Sequence, residues 1–138
     1  MQRRTLVAAA AAFGLTSTAL SAFAAEKGTQ YVVLDKPLPN AEGTLIKVFS
    51  YDCPFCYKYD VGVDPRVLPR IEKEVGLKFK PIHLETKGTY GRCASVFLAM
   101  CMLRDEKAGV SIEDKNSLFK KAKDAIYNAY HRKQERWT

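Results

Sequence analysis

Two cysteines two residues apart, Cys53-Pro54-Phe55-Cys56, are the part of this sequence best suited to chemistry. Such a pair can close a small disulfide ring, bind a metal, carry haem or exchange disulfides, and its neighbours decide among these. Here the pair follows an apolar, β-branched and aromatic run from Leu45 to Tyr51. Pro54 stands where a first helical residue would, because a proline's missing N–H costs nothing at that position. Cys53 is therefore predicted to cap a helix, where the free N–H groups of the first turn and the positive end of the helix dipole stabilise a thiolate. Cys56, one turn further in, is predicted to be the shielded, resolving sulfur. A stabilised thiolate favours the reduced pair, so the disulfide form becomes an oxidant. Asp52 opposes this by its charge, unless Lys58 or another cation offsets it.

Other uses of the pair fit less well. A purely structural ring this short returns little loop entropy. A zinc site would need Cys93 and Cys101, whose seven-residue gap matches no common zinc spacing. Haem attachment wants a histidine where Tyr57 stands. No cofactor and no metal is implied. On one helix Cys93 and Cys101 would lie about 12 Å apart along the axis, beyond disulfide reach. They are predicted to be buried thiols beside Phe97, with a bond to another segment or chain as the alternative. His83 reads as a structural residue before a proton shuttle. Phe55, between the cysteines, is the candidate for an exposed apolar contact with unfolded substrate.

The elements that must position the pair follow from periodicity. Tyr31 to Leu34 is a β-favouring run, and Pro39 to Gly43 is turn chemistry. Leu45 to Tyr51 reads as a strand buried on both faces. Gly62, Pro65 and Pro69 forbid one smooth helix, so a short helix from Pro54 and a second piece from about Pro65 to Val75 are predicted. Leu77 to Glu85 is a further strand despite Pro81, giving a parallel pair joined by the cysteine-bearing helix. Cys93 to Leu103 is apolar on nearly every side and reads as a buried helix, with Gly109 as its stop. Ser111 with Asp114 predicts the start of the last helix, whose apolar stripe is Leu118, Phe119, Ala122, Ala125, Ile126, Ala129 and Tyr130.

Composition sets the compartment. Arg3 and Arg4 precede an apolar run from Leu6 to Leu20, and Ala22-Phe23-Ala24 is a small-x-small cleavage pattern, so residues 1–24 read as a signal peptide cut after Ala24. Its removal takes two positive charges from a formal net charge of +7. With acids interspersed almost everywhere, this mildly basic chain lacks the concentrated footprint of a nucleic-acid binder. Export to a bacterial periplasm is the simplest destination, and there the cysteines meet an oxidising environment.

Gln30 to Pro37, then Phe49-Ser50-Tyr51-Asp52-Cys53-Pro54-Phe55-Cys56-Tyr57, then His83-Leu84-Glu85-Thr86, resemble the DsbA family of periplasmic thiol oxidases, and most of all its DsbL branch. The resemblance implies an α/β, thioredoxin-like fold with a helical domain inserted after the third strand. It also implies reduced exported proteins as substrates, a sulfotransferase among them, and a quinone-linked membrane thiol oxidase as reoxidant. On that pattern residues 25–86 form the N-terminal part of the thioredoxin-like domain and residues 87–138 the start of the insertion. The family's two further strands and its cis-proline are expected to be absent, since the prolines at 37, 39, 54, 65, 69 and 81 all precede the insertion's end. The expected function is donation of the Cys53–Cys56 disulfide to exported proteins, with Pro54 and Phe55 supporting the cysteines. The alternative is a non-catalytic truncated fragment or a partner-binding remnant of such an oxidase.

Overall fold

The structure, a computed structural model, describes residues 25–137. The expected signal peptide, residues 1–24, lies outside the described residues. The chain divides after Lys36 into two compact units.

Of the first unit, residues 25–36 are described. Gln30 returns its side chain to the Glu26 N–H at 2.7 Å, and a lone bridge joins Lys27 to Tyr31. The predicted strand from Tyr31 to Leu34 does not form beyond that bridge, and Val32, Val33 and Leu34 are exposed. β-favouring side chains alone do not make a strand; a ladder and a face to bury them on do.

The second unit runs β1 (Thr44–Phe49), α1 (Pro54–Gly62), α2 (Asp64–Val75), β2 (Lys78–His83), α3 (Gly91–Lys107), α4 (Leu118–Tyr127) and a π-helical turn (Asn128–Arg132). β1 and β2 pair in parallel, from Thr44 opposite Lys78 to Phe49 opposite His83. The break between α1 and α2 falls at Val63, and Gly76, at φ 77°, ends α2 in the left-handed conformation that glycine tolerates best. These elements match the parallel pair and the split helix expected from Gly62 and Pro65. β1, however, is not buried on both faces, since Val48 is 52% exposed.

The core gathers Phe49 from β1, Leu98 and Cys101 from α3, and Phe119 and Tyr127 from α4. Phe49 meets His83, Phe119 and Tyr127 edge-on at centroid distances of 5.2, 6.3 and 6.2 Å. Truncating Phe119 in such a setting costs about 3–5 kcal/mol. Because Phe49 closes β1 four residues before Cys53, this cluster fixes the ground on which the cysteine loop stands.

Two helical expectations are corrected. Only one stripe of α3 is buried, comprising Gly91, Leu98, Cys101 and Asp105, while Cys93, Val96, Phe97, Met100 and Leu103 are exposed. Cys93 is thus not the buried thiol beside Phe97 that was expected, whereas Cys101 is buried. α4 starts not at Ser111 but at Leu118, after Ser117. The Ser111 hydroxyl accepts a local bond from the Glu113 N–H, and its carbonyl accepts one from the Asp114 N–H, in a turn. The stronger cap is Ser117, whose hydroxyl accepts from Lys120 N–H at 3.0 Å and donates to Asp105 of α3 at 2.7 Å. The apolar stripe ends as an α-helix at Tyr127, so Ala129 and Tyr130 lie on the π-helical turn instead. No helix among the described residues is long and apolar enough to cross a membrane.

Candidate active site

Cys53 occupies the N-cap of α1 with extended backbone (φ −83°, ψ 112°), and Pro54 is the first helical residue. The Cys53 N–H donates to the Ser50 carbonyl at 3.2 Å, closing a turn at the end of β1, and its carbonyl accepts from Tyr57 N–H at 3.1 Å. The sulfur is thereby turned over the first helical turn, where it accepts from the Cys56 N–H at 3.3 Å. Cys56 packs against the core cluster, as does Tyr57. Phe55, between the two cysteines in sequence, is 69% exposed, with Lys58 Nζ 5.8 Å from its ring centre. All four cysteines are free thiols.

Their surroundings push the two thiols apart. Burial raises that of Cys53, but its hydrogen bonds with Cys56, the Phe55 N–H and the charge of Lys87 together bring it below the ordinary thiol value. Cys56 is raised, first by burial, then by the hydrogen bond to Cys53 and by that neighbour's charge. The offsetting cation is thus Lys87, in the loop after β2. Asp52 accepts from the Ser50 hydroxyl at 2.6 Å.

The loop before Cys53 is gripped through Tyr51, which is 3% exposed. Its N–H donates to His83 Nε2 at 3.0 Å, its carbonyl accepts from His131 Nε2 at 2.8 Å, and its hydroxyl accepts from Tyr90 N–H at 3.1 Å. Because His83 Nε2 accepts, its proton is on Nδ1, which donates to the Ser95 hydroxyl at 2.7 Å, and that hydroxyl donates in turn to the His83 carbonyl at 3.3 Å. Burial lowers the pKa of His83, with the charge of Asp52 opposing it. Gly88, at φ 79°, lies so close that a Cβ there would meet the Tyr51 hydroxyl oxygen at 2.6 Å.

Sequence reasoning found Cys53, Pro54, Phe55 and Cys56, which the structure brings together, and assigned Cys93 and Cys101 elsewhere, on α3. It missed Lys87 and His131. The sequence held no signal for either, because only the tertiary paths of the loop after β2 and of the turn after α4 bring these side chains near the cysteine turn. Among the described residues no group of three or more His, Cys, Asp or Glu side chains is gathered to hold a metal ion.

Comparison with known proteins shows what the chain is similar to. The chain is 52% identical over 133 residues to the thiol:disulfide interchange protein DsbL of Escherichia coli O6:H1 strain CFT073, covering 96% of this chain and 57% of that protein. It belongs to the DsbA family, most like DsbL. DsbL of Lelliottia amnigena is 56% identical over 128 residues, which cover 93% of this chain and 55% of that one. The crystal structure of DsbL from Salmonella enterica serovar Typhimurium superposes with a TM-score of 0.74 at 55% identity, over 83% of this chain and 57% of that chain. The fold is accordingly thioredoxin-like α/β. The chain spans little more than half the length of these relatives. No protein-family model matches it.

Proposed function

We propose that this protein is a periplasmic thiol:disulfide oxidoreductase that donates the Cys53–Cys56 disulfide to exported proteins, after removal of a signal peptide cut behind Ala24. The observation that carries the reading is the placement of Cys53 Sγ on the N-terminus of α1, 3.3 Å from the Cys56 N–H, with its thiol lowered while that of Cys56 is raised. Starting from the oxidised pair, a substrate thiolate attacks Cys53 Sγ. The Cys53–Cys56 bond breaks, and Cys56 leaves with the electron pair and takes up a proton. A second substrate thiolate then attacks the substrate's own sulfur in the mixed disulfide, and Cys53 departs as the stabilised thiolate. The substrate dithiol is oxidised to a disulfide and the protein is reduced to the dithiol state that the structure depicts.

In this reading Pro54 fixes the first turn and Phe55 offers an apolar contact to unfolded substrate. Residues 25–86 carry the redox centre in the N-terminal part of the thioredoxin-like domain, and residues 87–138 form the start of the helical insertion. Reduced exported proteins, a sulfotransferase among them, are the substrates, and a quinone-linked membrane thiol oxidase restores the disulfide. DsbL and DsbA, named as thiol:disulfide interchange proteins, support the class of reaction.

Trapping separates the two cysteines. Offered a disulfide-bonded protein, Cys56→Ser should accumulate mixed disulfides, because the Cys53 thiolate attacks the substrate disulfide, releases one substrate thiol and leaves no Cys56 thiol to displace the other, while Cys53→Ser should accumulate none. The opposite pattern would reverse the roles assigned here.

A further inference from the structure

His131 takes no part in the exchange steps, yet it reaches both flanks of the cysteine motif. Before the motif, its Nε2–H donates to the Tyr51 carbonyl at 2.8 Å. Behind it, the imidazole lies flat on the ring of Tyr57, with centroids 4.9 Å apart and planes 6° from parallel. It also packs against Tyr127 and Tyr130, at 5.7 and 5.1 Å.

The residue sits in the π-helical turn after α4, closed by the Lys133 N–H on the Asn128 carbonyl at 2.9 Å. A π turn inserts a residue into the helical path and so rotates the later side chains relative to the α-helical stripe. Such turns are rare, and they gather at functional sites. Tyr51 is thus held at both ends of its backbone by imidazoles from two different elements, β2 and the turn after α4. His83 at the end of β2 accepts from its N–H, and His131 donates to its carbonyl.

We infer that His131 is a positioning residue for Cys53: by bridging the Tyr51 carbonyl to the Tyr57 ring it fixes the turn between β1 and α1, and so keeps the Cys53 sulfur on the free N–H groups of the first helical turn. The inference rests on the thiol-exchange reading of the pair. Its physical basis is that a thiolate gains from those N–H groups only within hydrogen-bond range, and two residues of loose turn suffice to carry the sulfur out of it. Without the grip, the reduced pair loses part of its stabilisation and the disulfide becomes a weaker oxidant.

The test compares His131→Phe, which keeps an aromatic face but has no donor, with His131→Gln, which restores a donor of similar reach, both in the full chain. The pH profile of Cys53 alkylation and the equilibrium of the pair with glutathione are read for each. His131→Phe should move the alkylation midpoint upward and weaken oxidation of glutathione about tenfold, the equivalent of one pKa unit. His131→Gln should recover to within about threefold of the parent. If His131→Phe does not fold, His131→Asn takes its place, since its shorter amide cannot reach the Tyr51 carbonyl; the same results support or overturn the inference. A donor-less variant within twofold of the parent in both readouts, whatever its thermal stability, overturns it, as does a Gln variant no better than Phe. If the parent itself exchanges no disulfide with glutathione, the thiol-exchange reading fails, and this inference with it.

Discussion

At the scale of single residues, Cys53 and Cys56 share one turn of helix and differ in what surrounds each sulfur. The difference has a direct kinetic reading. At pH 6 iodoacetamide should label Cys53 before the other cysteines, because reactivity follows the thiolate fraction. Cys101 should lag furthest, its thiol raised by burial and by the charge of Asp105. Replacing Lys87 with Ala removes a cation that lowers the Cys53 thiol, so its alkylation profile should move to higher pH. Peptide mapping after timed quenching would measure both, and an unmoved profile would show that Lys87 is irrelevant. The cap at Cys53 was legible in the sequence because every feature it needs is local: an apolar run, a cysteine, then Pro54 at the first helical position. Lys87 and His131 were not legible. Their effect depends on the loop after β2 and the turn after α4 reaching the same few ångströms of space, and no spacing along the chain encodes that.

At the scale of elements, the junction of α3 and α4 is held by one carboxylate. Asp105 is 2% exposed and accepts from the Ser117 hydroxyl and from the N–H groups of Leu118 and Phe119, at 2.7, 2.8 and 2.9 Å. Burial alone would raise its pKa; those bonds and the charge of Lys121 hold it below the usual carboxylate value. Asp105→Asn should therefore cost about 2–4 kcal/mol of stability at neutral pH, since charge-assisted bonds are lost and buried donors lose their acceptor. A group with a depressed folded pKa contributes fully above its unfolded value, about 4, and loses that contribution as pH falls through the folded value. The gap between parent and variant in urea unfolding should accordingly narrow below pH 4. A gap that stays constant to pH 2 would rule out the ionised cap. The same junction shows why α4 was misplaced in sequence. Ser111 and Asp114 have the spacing of a capping pair, but Ser117 has the acidic partner, and that partner lies on another helix. The parallel strands and the break before α2 were legible from β-branched runs, Gly62 and Pro65. The burial of α3 was not, because an all-apolar stretch says nothing about which of its faces finds a neighbour.

At the scale of the whole molecule, apolar side chains remain at the surface around a sheet that has two strands among the described residues. Val48 and Ile82 of the strands are exposed, as are Val96, Phe97, Met100 and Leu103 of α3. Unpaired strand edges and contiguous apolar surface recruit other chains. Sedimentation should therefore show self-association that increases with concentration and is relieved by Met100→Lys, and a strictly monomeric parent at high concentration would refute it. On the proposed function the chemistry turns on the cysteine pair: a helix N-terminus that stabilises the Cys53 thiolate makes the Cys53–Cys56 disulfide an oxidant. Equilibration of the pair against graded glutathione buffers at pH 7 tests this most directly. The expected result is a potential clearly more oxidising than thioredoxin's, which is about −270 mV. A potential at or below that value would contradict it.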